Sequence, residues 1–598
     1  MAKVVRQAVP AWRFLLVILL LAVLASLLIW RVLSLQVLDT ERGHGFLQGQ
    51  GDARSVRTEH IPAYRGVISD RNGEPLAVST PVASIWLNPQ HLADNEKQWP
   101  ALAKLLDLNP KQLKKKIDSN RQRHFVYLKR HVSPKLANSV RALGISGINV
   151  QREYKRYYPA SEVAAHIVGF TNIDDQGQEG IELAFDAWLQ GEPGSKRVLK
   201  DLHGNVFRDI DQGQQARSGK NITLSIDMRL QYMAYRELKA AMKRVDAKSG
   251  SVVMLDGLTG EVLAMVNQPS FNPNNRSELK PASLRNRAMT DVFEPGSTVK
   301  PLTVVAALES GRYKPNTIVD TSPGYIRVGK KTLLDPVNYG KLNVTGILTK
   351  SSQVGTSKLA LDLDEQEVWR VFSRFGLGVG TGSGFPGESA GILPSRPNWR
   401  PIERVNFAFG YGLAVTPLQL AQAYSVFASG GVMRPATLMR RTEQVEGERI
   451  ISSEVADDLV AMLATVTQKG GTATRAQLAA YSVAGKTGTV HKVGKKGGYA
   501  DDRYMAVFAG LAPASNPRIV TVVMIDEPNL DRYHGGESAA PVFARVMSDA
   551  LRILDIRPDK FPAKARQLPV AATPIKDSPD VNHMAAELVA ISGGRKST

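Results

Sequence analysis

A serine and a lysine stand three positions apart in the stretch FEPGSTVKP (293–301). Pro295-Gly296 favours a turn into a helix, where Ser297 and Lys300 would lie on one face. A serine hydroxyl becomes a strong nucleophile when a neighbouring base takes its proton. A lysine can be that base if burial and a nearby cation lower its pKa. The pair could therefore be a nucleophile and its base, but a serine and a lysine at this spacing also occur by chance, and Lys300 could equally lie on a helix surface.

Two further motifs follow the serine–lysine pair at wide spacings. KSSQVGTSK (350–358) places Ser351 54 residues after Ser297, and Lys486 begins Lys-Thr-Gly 189 residues after it. Serine-x-x-lysine, then serine-x-asparagine, then lysine-threonine-glycine is the order typical of penicillin-recognising serine acyltransferases. Order and spacing together are more specific than any one motif.

Lys486 also lies in a stretch, VAGKTGTVHK (483–492), that ends like a phosphate-binding loop. Such a loop needs a glycine five positions before its second glycine, and here that position is Ala480. Another nucleotide-like pattern, GSGFPG (382–387), has Pro386 where a helix would begin, which favours a glycine-rich surface loop. A nucleotide site is therefore not predicted.

The residues around Lys486 instead predict an edge strand. Gly485 and Gly488 flank the lysine and would leave room for a peptide to lie alongside the strand. The ammonium of Lys486 and the hydroxyls of Thr487 and Thr489 would then face the terminal carboxylate of that peptide. The anion that this lysine serves is predicted to be a carboxylate.

The length, composition and charge of the whole chain limit which functions are possible. Its 598 residues favour two or three domains, and 43% hydrophobic with 22% charged residues is typical of globular protein. The absence of cysteine excludes disulfides, thiolate zinc sites and a thiol nucleophile. A formal charge of +20 suggests an anionic partner, but no nucleic-acid motif accompanies it. The dense basic stretch 111–131 is interpreted as a solvated face.

The N-terminal region predicts a membrane helix. Residues 14–30 carry no charge and span about 26 Å as a helix, which can run on to Leu33 and cover a bilayer core of about 30 Å. The basic residues before it, with no acid among them, place the N-terminus in the cytoplasm and the rest outside: Lys3, Arg6 and Arg13. A cleaved signal peptide is the alternative, but no small-x-small site follows Trp30. An uncleaved single-pass anchor is predicted.

Composition and periodicity divide the rest of the chain. The predicted parts are a cytoplasmic N-terminus (1–13), a membrane helix (14–33), a stalk and linker (34–56), a basic non-catalytic module (57–216), a catalytic domain (217–558) and a flexible tail (559–598). In the catalytic domain, hydrophobic patterning predicts a strand at 221–227, a helix at 228–245, a hairpin at 251–256 and 261–266, a strand at 519–526 and a closing helix after Ala539.

Beyond these three motifs, the chain resembles the class B penicillin-binding proteins over nearly its whole length, and is most similar to their division-specific, septal members. Motifs that carry the resemblance are RGVISDRNGEPLA (65–77), RYYP (156–159), GQEGIE (177–182), GFPGE (384–388), FGYGLAVTPLQLAQAY (409–424), TQKGGTATRA (467–476) and YMAVFAGLAP (504–513). The resemblance implies an α+β fold: one membrane helix, an elongated pedestal of the dimerisation type, and a transpeptidase domain with a five-stranded antiparallel sheet between helical layers.

The resemblance also implies roles. Ser297 would attack the penultimate D-Ala carbonyl of a pentapeptide stem, with Lys300 as general base. Ser351 would relay the proton to the leaving amine, and Lys486 would hold both lysine–serine pairs. An amine of a second stem would then attack the acyl-enzyme. No cofactor, metal or nucleic acid is implied, whereas β-lactam antibiotics, a membrane glycan polymerase and other single-pass division proteins are implied partners.

Further binding residues follow from the same resemblance. The backbone N–H groups of Ser297 and Thr489 would form the oxyanion hole. Tyr504 and Tyr533 would line the acyl pocket, or else belong to the core. One position departs from the family, because Gln353 stands where the second motif has asparagine. Its extra methylene moves the amide by about 1.5 Å, so Gln353 is expected to slow acylation.

Two other functions stay open at this point. The same motifs could serve a hydrolase, either a D,D-carboxypeptidase or a β-lactamase, although the anchor and the large pedestal argue against it. A weakly active division scaffold is the other alternative, and Gln353 is the only feature in its favour.

Overall fold

The computed structural model describes residues 10–36, 56–91, 96–200, 206–211, 213–277, 279–443, 445–494 and 497–560. Its first element is the helix Ala11–Gln36, whose 26 residues extend the predicted span by three residues at each end. The large apolar side chains of this helix are exposed, and it is the one helix in the described ranges long and apolar enough to cross a membrane. Residues 37–55 of the predicted stalk and linker, and the tail from 561 onward, lie outside the described residues.

The catalytic domain is built on a five-stranded antiparallel sheet, here called the catalytic sheet. Its strands follow the order Val262–Gln268, Ser249–Asp256, Ile519–Asp526, Tyr499–Ala512 and Ala484–Val493. The strand with Lys486 is therefore an edge strand, as its sequence predicts. Every residue of the two strands Ser249–Asp256 and Ile519–Asp526 is buried. Because side chains alternate between the faces, both faces of the sheet are covered.

Helices cover the catalytic sheet on both faces. Met228–Val245 and Ala539–Ile553 pack on each other and on the sheet, while Pro417–Ala428 is buried over all its twelve residues beneath further helices. The other helices of this domain are Pro281–Leu284, Arg287–Thr290, Lys300–Glu309, Val344–Lys350, Gln353–Asp362, Glu367–Arg374, Pro401–Ala408 and Ser453–Thr467. Three strand pairs complete it: Ile318–Asp320 with Lys341–Asn343, Tyr325–Val328 with Lys331–Leu334, and Val432–Met433 with Glu448–Arg449.

The segment before the catalytic domain, here called the pedestal, has two sheets. In the larger one the 13-residue strand Pro75–Leu87 pairs with Ile68–Ser69, Val126–Val132 and Ile148–Tyr157. The smaller one has Gly194–Lys200 between Val56–Ile61 and Val206–Asp211. Its helices are Trp99–Leu106, Pro110–Asp118, Pro134–Ala142, Ala165–Val168, Gly180–Ala184 and Asp186–Leu189. A separate core lies under the first three helices, whereas the base of the pedestal shares the core of the catalytic domain.

Three of the pedestal motifs meet in a buried ion cluster. Arg65 donates to Glu182 Oε2 at 2.7 Å, and Arg156 donates from Nε to Glu182 Oε1 at 2.6 Å. Arg65 also donates to Asp186 at 2.8 Å. The side chains of Arg65, Arg156 and Glu182 are at most 2% exposed. RGVISDRNGEPLA, RYYP and GQEGIE each contribute one member, so these motifs hold the base of the pedestal together.

The secondary-structure predictions for the catalytic domain are largely confirmed. The helix is Met228–Val245, the hairpin strands are Ser249–Asp256 and Val262–Gln268, and the later strand is Ile519–Asp526. The strand predicted at 221–227 was wrong in extent: only Ile222–Thr223 is a strand, and it pairs in parallel with Ile68–Ser69 of the pedestal. The pairing is limited to two residues because the partner strand Ile68–Ser69 is only two residues long. The residues around 221–227 carry no sign of the length of that distant partner.

The ordered part of the catalytic domain reaches beyond residue 558. The Asp559 carboxylate accepts hydrogen bonds from the hydroxyls of Ser482 and Ser515, and Lys560 donates to the Leu478 carbonyl at 3.0 Å. These two residues, which the sequence assigns to the tail, are therefore bound to the catalytic domain.

Candidate active site

Ser297 lies in a tight turn that packs against the edge strand. Residues Gly296–Val299 form a 3₁₀ turn, and the helix Lys300–Glu309 follows directly. Gly296 has a φ of +52°, and a Cβ on it would lie 2.4 Å from Val490 Cγ2 of the edge strand. The left-handed backbone and this close approach both require glycine. The turn thereby holds Ser297, which is half-buried, beside the edge strand.

The turn is also fixed from the opposite side. Gly296 N–H donates to the Gly410 carbonyl at 3.1 Å, and the buried Tyr424 hydroxyl donates to the Thr298 carbonyl at 2.7 Å. A Cβ on Gly410 would lie 2.2 Å from the Gly296 oxygen, so this position also needs glycine. Both partners come from FGYGLAVTPLQLAQAY, whose role in the site only the structure reveals.

Lys300, Ser351 and Lys486 form one hydrogen-bonded cluster. Lys300 Nζ donates to the Ser351 carbonyl at 2.6 Å and to Ser351 Oγ at 3.3 Å, and Lys486 Nζ donates to the same Oγ at 2.9 Å. Both lysines are fully buried. With both Oγ lone pairs occupied, the Ser351 proton is free to be donated elsewhere. The structure thus joins the three motifs that lie far apart in sequence.

Ser297 is not yet hydrogen bonded to its proposed base. Within the described residues its hydroxyl makes no hydrogen bond, because the Lys300 amine is directed to Ser351. Ser297 and Lys300 are nevertheless linked by their backbones, since Lys300 N–H donates to the Ser297 carbonyl. Catalytic hydrogen bonds commonly close only when substrate is bound, so this geometry is compatible with a serine–lysine pair.

The environment favours a neutral lysine amine near neutral pH. Burial lowers the pKa of Lys300 to about 7, against the opposing effect of the Asp335 carboxylate. Burial also lowers the pKa of Lys486 well below its ordinary value, and the charge of Lys300 lowers it further. Of the two conditions that the sequence hypothesis names for Lys300, burial is present, whereas the neighbouring amine of Lys486 is itself shifted toward its neutral form.

The second motif has an unusual backbone. Ser351 has φ +57° and ψ +36°, a left-handed conformation that costs a serine roughly 1–2 kcal/mol. Ser352 caps the next helix by accepting from Gly355 N–H at 2.8 Å. Gln353 is the first residue of that helix, and its half-buried side-chain amide makes no hydrogen bond to the part of the chain described. The amide is therefore available to a ligand.

The predicted carboxylate-binding residues lie along the edge strand. The hydroxyls of Thr487 and Thr472 are 2.9 Å apart, and Thr489 Oγ1 accepts from Gly535 N–H at 3.0 Å. The Lys486 amine is fully committed within the protein, since it also donates to the Thr487 carbonyl at 3.1 Å. The threonine hydroxyls are thus better placed than the lysine to contact a carboxylate directly.

The sequence predicts that the glycines beside Lys486 leave room for a bound peptide, but in the structure other segments of the protein occupy that room. A Cβ on Gly488 would lie 2.9 Å from Thr298 Cγ2 and 3.1 Å from the Pro295 carbonyl, and one on Gly485 would lie 2.6 Å from the ring of Phe508. Both glycines make room for the protein's own chain. Gly488 lets the serine turn approach the strand.

Tyr504 and Tyr533 form a stacked pair, with ring centroids 4.2 Å apart. Tyr504 is paired with His491 of the edge strand, and its hydroxyl donates to the Asp501 carbonyl at 2.9 Å. Both tyrosines are half-buried. Since His491 lies two residues beyond Thr489 on the same face, the tyrosine pair continues the line of threonines instead of belonging to the core.

Sequence reasoning missed Asp335. Its carboxylate accepts hydrogen bonds from the second motif, yet it precedes Gln353 by 18 residues and no motif surrounds it. An aspartate followed by proline in a polar loop is a common turn signal, so the sequence offers nothing that sets it apart.

A serine in a tight turn, two buried lysines and an edge strand beside them are the arrangement of a serine acyltransferase. Residues 250–548 match the family described as Penicillin binding protein transpeptidase domain, and residues 60–224 match Penicillin-binding Protein dimerisation domain. The chain belongs to the class B penicillin-binding proteins.

Relatives match over most of the chain. It is 43% identical to Peptidoglycan D,D-transpeptidase FtsI of Escherichia coli, covering 92% of this chain and 93% of FtsI. It is also 43% identical to Probable peptidoglycan D,D-transpeptidase PbpC of Pseudomonas aeruginosa, covering 92% and 96%. Among solved structures, the transpeptidase domain of penicillin-binding protein 3 from Burkholderia pseudomallei is 39% identical with a TM-score of 0.52, covering 57% of this chain and 98% of that domain.

Proposed function

We propose that the protein is a peptidoglycan D,D-transpeptidase that cross-links stem peptides during septal wall synthesis. The observation that carries this proposal is the hydrogen-bonded cluster of Lys300, Ser351 and Lys486 beside the Ser297 turn. Relatives named as D,D-transpeptidases at 43% identity support it.

In the first half-reaction, Ser297 Oγ attacks the carbonyl carbon of the penultimate D-Ala and Lys300 Nζ takes the hydroxyl proton. The carbonyl oxygen becomes an oxyanion, for which the N–H groups of Ser297 and Thr489 are the proposed donors. One such donor is typically worth about 3–4 kcal/mol of barrier. The carbon–nitrogen bond then breaks as Ser351 gives its proton to the departing D-Ala amine. Ser351 in turn takes the proton held by Lys300, whose Nζ lies 3.3 Å from Ser351 Oγ, so Lys300 is neutral again before the second half-reaction.

In the second half-reaction, an amine of a neighbouring stem attacks the ester carbonyl. Lys300 takes the amine proton and returns it to Ser297 Oγ as the ester bond breaks. The new amide joins the two stems. The threonine hydroxyls at 487 and 489, the Gln353 amide and the tyrosines at 504 and 533 are proposed to hold the donor stem along the edge strand.

The test uses the full-length protein in detergent with a pentapeptide donor stem and an acceptor stem that carries a free side-chain amine. Mass spectrometry should find a cross-linked product that has lost one D-Ala per new bond. A trimmed tetrapeptide as the sole product would show a hydrolase. No product together with no β-lactam labelling would show a scaffold.

Changing Gln353 to asparagine should raise the second-order rate of acylation by β-lactams. One fewer rotor to order is worth roughly 0.5–1 kcal/mol, or about two- to fivefold in rate. The rate is measured with several penicillins and cephalosporins, whose ranking should change. Gln112→Asn, at an exposed position of the pedestal helix Pro110–Asp118, is the matched control and should change nothing. Equal or slower acylation by Gln353→Asn would show that the site has adapted to glutamine.

We further propose that the helix Ala11–Gln36 is retained as an anchor in the cytoplasmic membrane, with the N-terminus inside and the catalytic domain in the periplasm. The basic residues before the helix support this orientation. A membrane glycan polymerase and other single-pass division proteins are its proposed partners, by family resemblance. Protease added to spheroplasts should digest the catalytic domain and spare the N-terminus. A protected catalytic domain, or a mature N-terminus beyond Arg31, would contradict the topology.

A further inference from the structure

Asp335 binds the second motif through both of its carboxylate oxygens. Oδ1 accepts the N–H groups of Gln353 at 2.6 Å and Val354 at 3.2 Å, and Oδ2 accepts the Ser352 hydroxyl at 2.5 Å. The side chain is buried at 8% exposure. A carboxylate at the first N–H groups of a helix is favoured by the helix dipole, so this is a strong attachment.

The Asp335 carboxylate belongs to a segment of the catalytic domain whose neighbouring residues are largely exposed. Asp335 directly follows the strand pair Tyr325–Val328 and Lys331–Leu334, and its N–H donates to the Gly324 carbonyl at 2.9 Å. Tyr325 and Leu334 are exposed by half or more. The chain therefore turns inward at Asp335, from an exposed hairpin to the reaction centre.

The turn that Asp335 holds includes the strained Ser351. A left-handed serine persists only where its surroundings determine the backbone on both sides. On one side Lys300 donates to the Ser351 carbonyl at 2.6 Å, and on the other Asp335 holds Ser352 and Gln353. A shift of this turn would move the Ser351 hydroxyl away from both lysines.

Asp335 also supplies negative charge beside the two buried lysines. The groups around the cluster are Lys300 from helix 300–309, Lys486 from the edge strand and Tyr339 from the segment after Asp335. Asp335 acts to raise the pKa of Lys300, and burial with Asp335 raises the pKa of Tyr339. The lysines of the two adjoining helices point elsewhere, to the carbonyls of other segments: Lys350 to Gly470 and Lys358 to Asp320.

We propose that Asp335 is a positioning residue for acylation, which fixes the turn 351–353 and balances the positive charge of Lys300 when that amine is protonated. This inference rests on the proposed function only in taking acylation of Ser297 as the reaction. Asp335 would act without touching substrate, through Ser351 and Lys300.

The positioning role and the charge-balancing role of Asp335 predict different effects on the acylation rate. Lys300 must be neutral to accept a proton, so the acylation rate should rise as the pH rises through about 7. Without the negative charge of Asp335 the pKa of Lys300 falls further, and the rise should occur at lower pH. Asparagine keeps an acceptor oxygen for the two N–H groups, but it removes the charge and replaces the acceptor of the Ser352 hydroxyl with an NH₂ donor. Alanine removes the charge and every acceptor.

The experiment measures the second-order rate of labelling by a fluorescent penicillin from pH 5.5 to 9, on full-length protein in detergent. For Asp335→Asn the midpoint of the rise should move down by about 0.5–1 pH unit, with a plateau within about threefold of wild type. For Asp335→Ala the plateau should fall on the order of 100-fold. Asp320→Asn, an exposed aspartate of the same region, is the matched control and should leave the profile unchanged.

An unshifted midpoint in Asp335→Asn would overturn the charge-balancing role, and an undiminished plateau in Asp335→Ala would overturn the positioning role. Thermal melting checks that the alanine variant is folded, and the asparagine variant decides the charge role in either case. Failure of the proposed function would look different. Wild-type protein would then carry no label at Ser297 at any pH.

Discussion

Replacing Ser297 with alanine should abolish acylation by β-lactams. Ser297 lies in the turn Gly296–Val299, three residues before Lys300. Burial lowers the pKa of Lys300 to about 7, so this lysine can serve as the base. Without the nucleophile no acyl-enzyme forms, and loss of the nucleophile in a comparable serine enzyme costs about 10⁶-fold in rate. Intact-mass spectrometry after penicillin treatment should find one adduct on wild type and none on Ser297→Ala.

The matched control is Ser310→Ala, at the end of the helix that begins with Lys300. The Ser310 hydroxyl donates to the Ala307 carbonyl at 2.7 Å, away from the cluster. This variant should keep the adduct. If Ser297→Ala were still labelled, peptide mapping would locate the true nucleophile, and Ser351 would be the first residue to inspect.

Replacing Glu182 with glutamine should destabilise the pedestal. Its two oxygens accept Arg65 and Arg156 in a site from which water is excluded. Glutamine keeps the shape but removes the charge, which leaves two buried guanidinium groups with too little compensation. Removing one partner of a buried ion pair typically costs about 3–5 kcal/mol. Denaturant unfolding of the full-length protein, followed by limited proteolysis of the pedestal, measures the loss.

Glu192→Gln is the control for charge alone. Glu192 pairs with Arg217 at 3.7 Å, and both side chains are more than half exposed. Exposed pairs contribute about 0–1 kcal/mol, so this variant should unfold close to wild type. Equal stability of the two glutamine variants would contradict the view that the three pedestal motifs are held together by the buried ion cluster.

The sequence alone determined those features that depend on neighbours along the chain. Apolar spacing placed the helix Met228–Val245 and the strand Ile519–Asp526, because a helix or strand buries a face whose period its own residues set. The order and spacing of the three polar motifs indicated a serine acyltransferase. The residues Ser297, Lys300, Ser351 and Lys486 could therefore be named before any contact was known.

Only the tertiary structure decided what depends on contacts between distant segments. The partner of Ile222–Thr223 is a two-residue strand of the pedestal, and Gly488 is needed because Thr298 approaches it from another segment. Asp335 reaches Ser352 by folding an exposed hairpin back onto the cluster. Such contacts join residues that no local period connects. They exist only once the chain has closed around the catalytic sheet, where burial also lowers the pKa of Lys300.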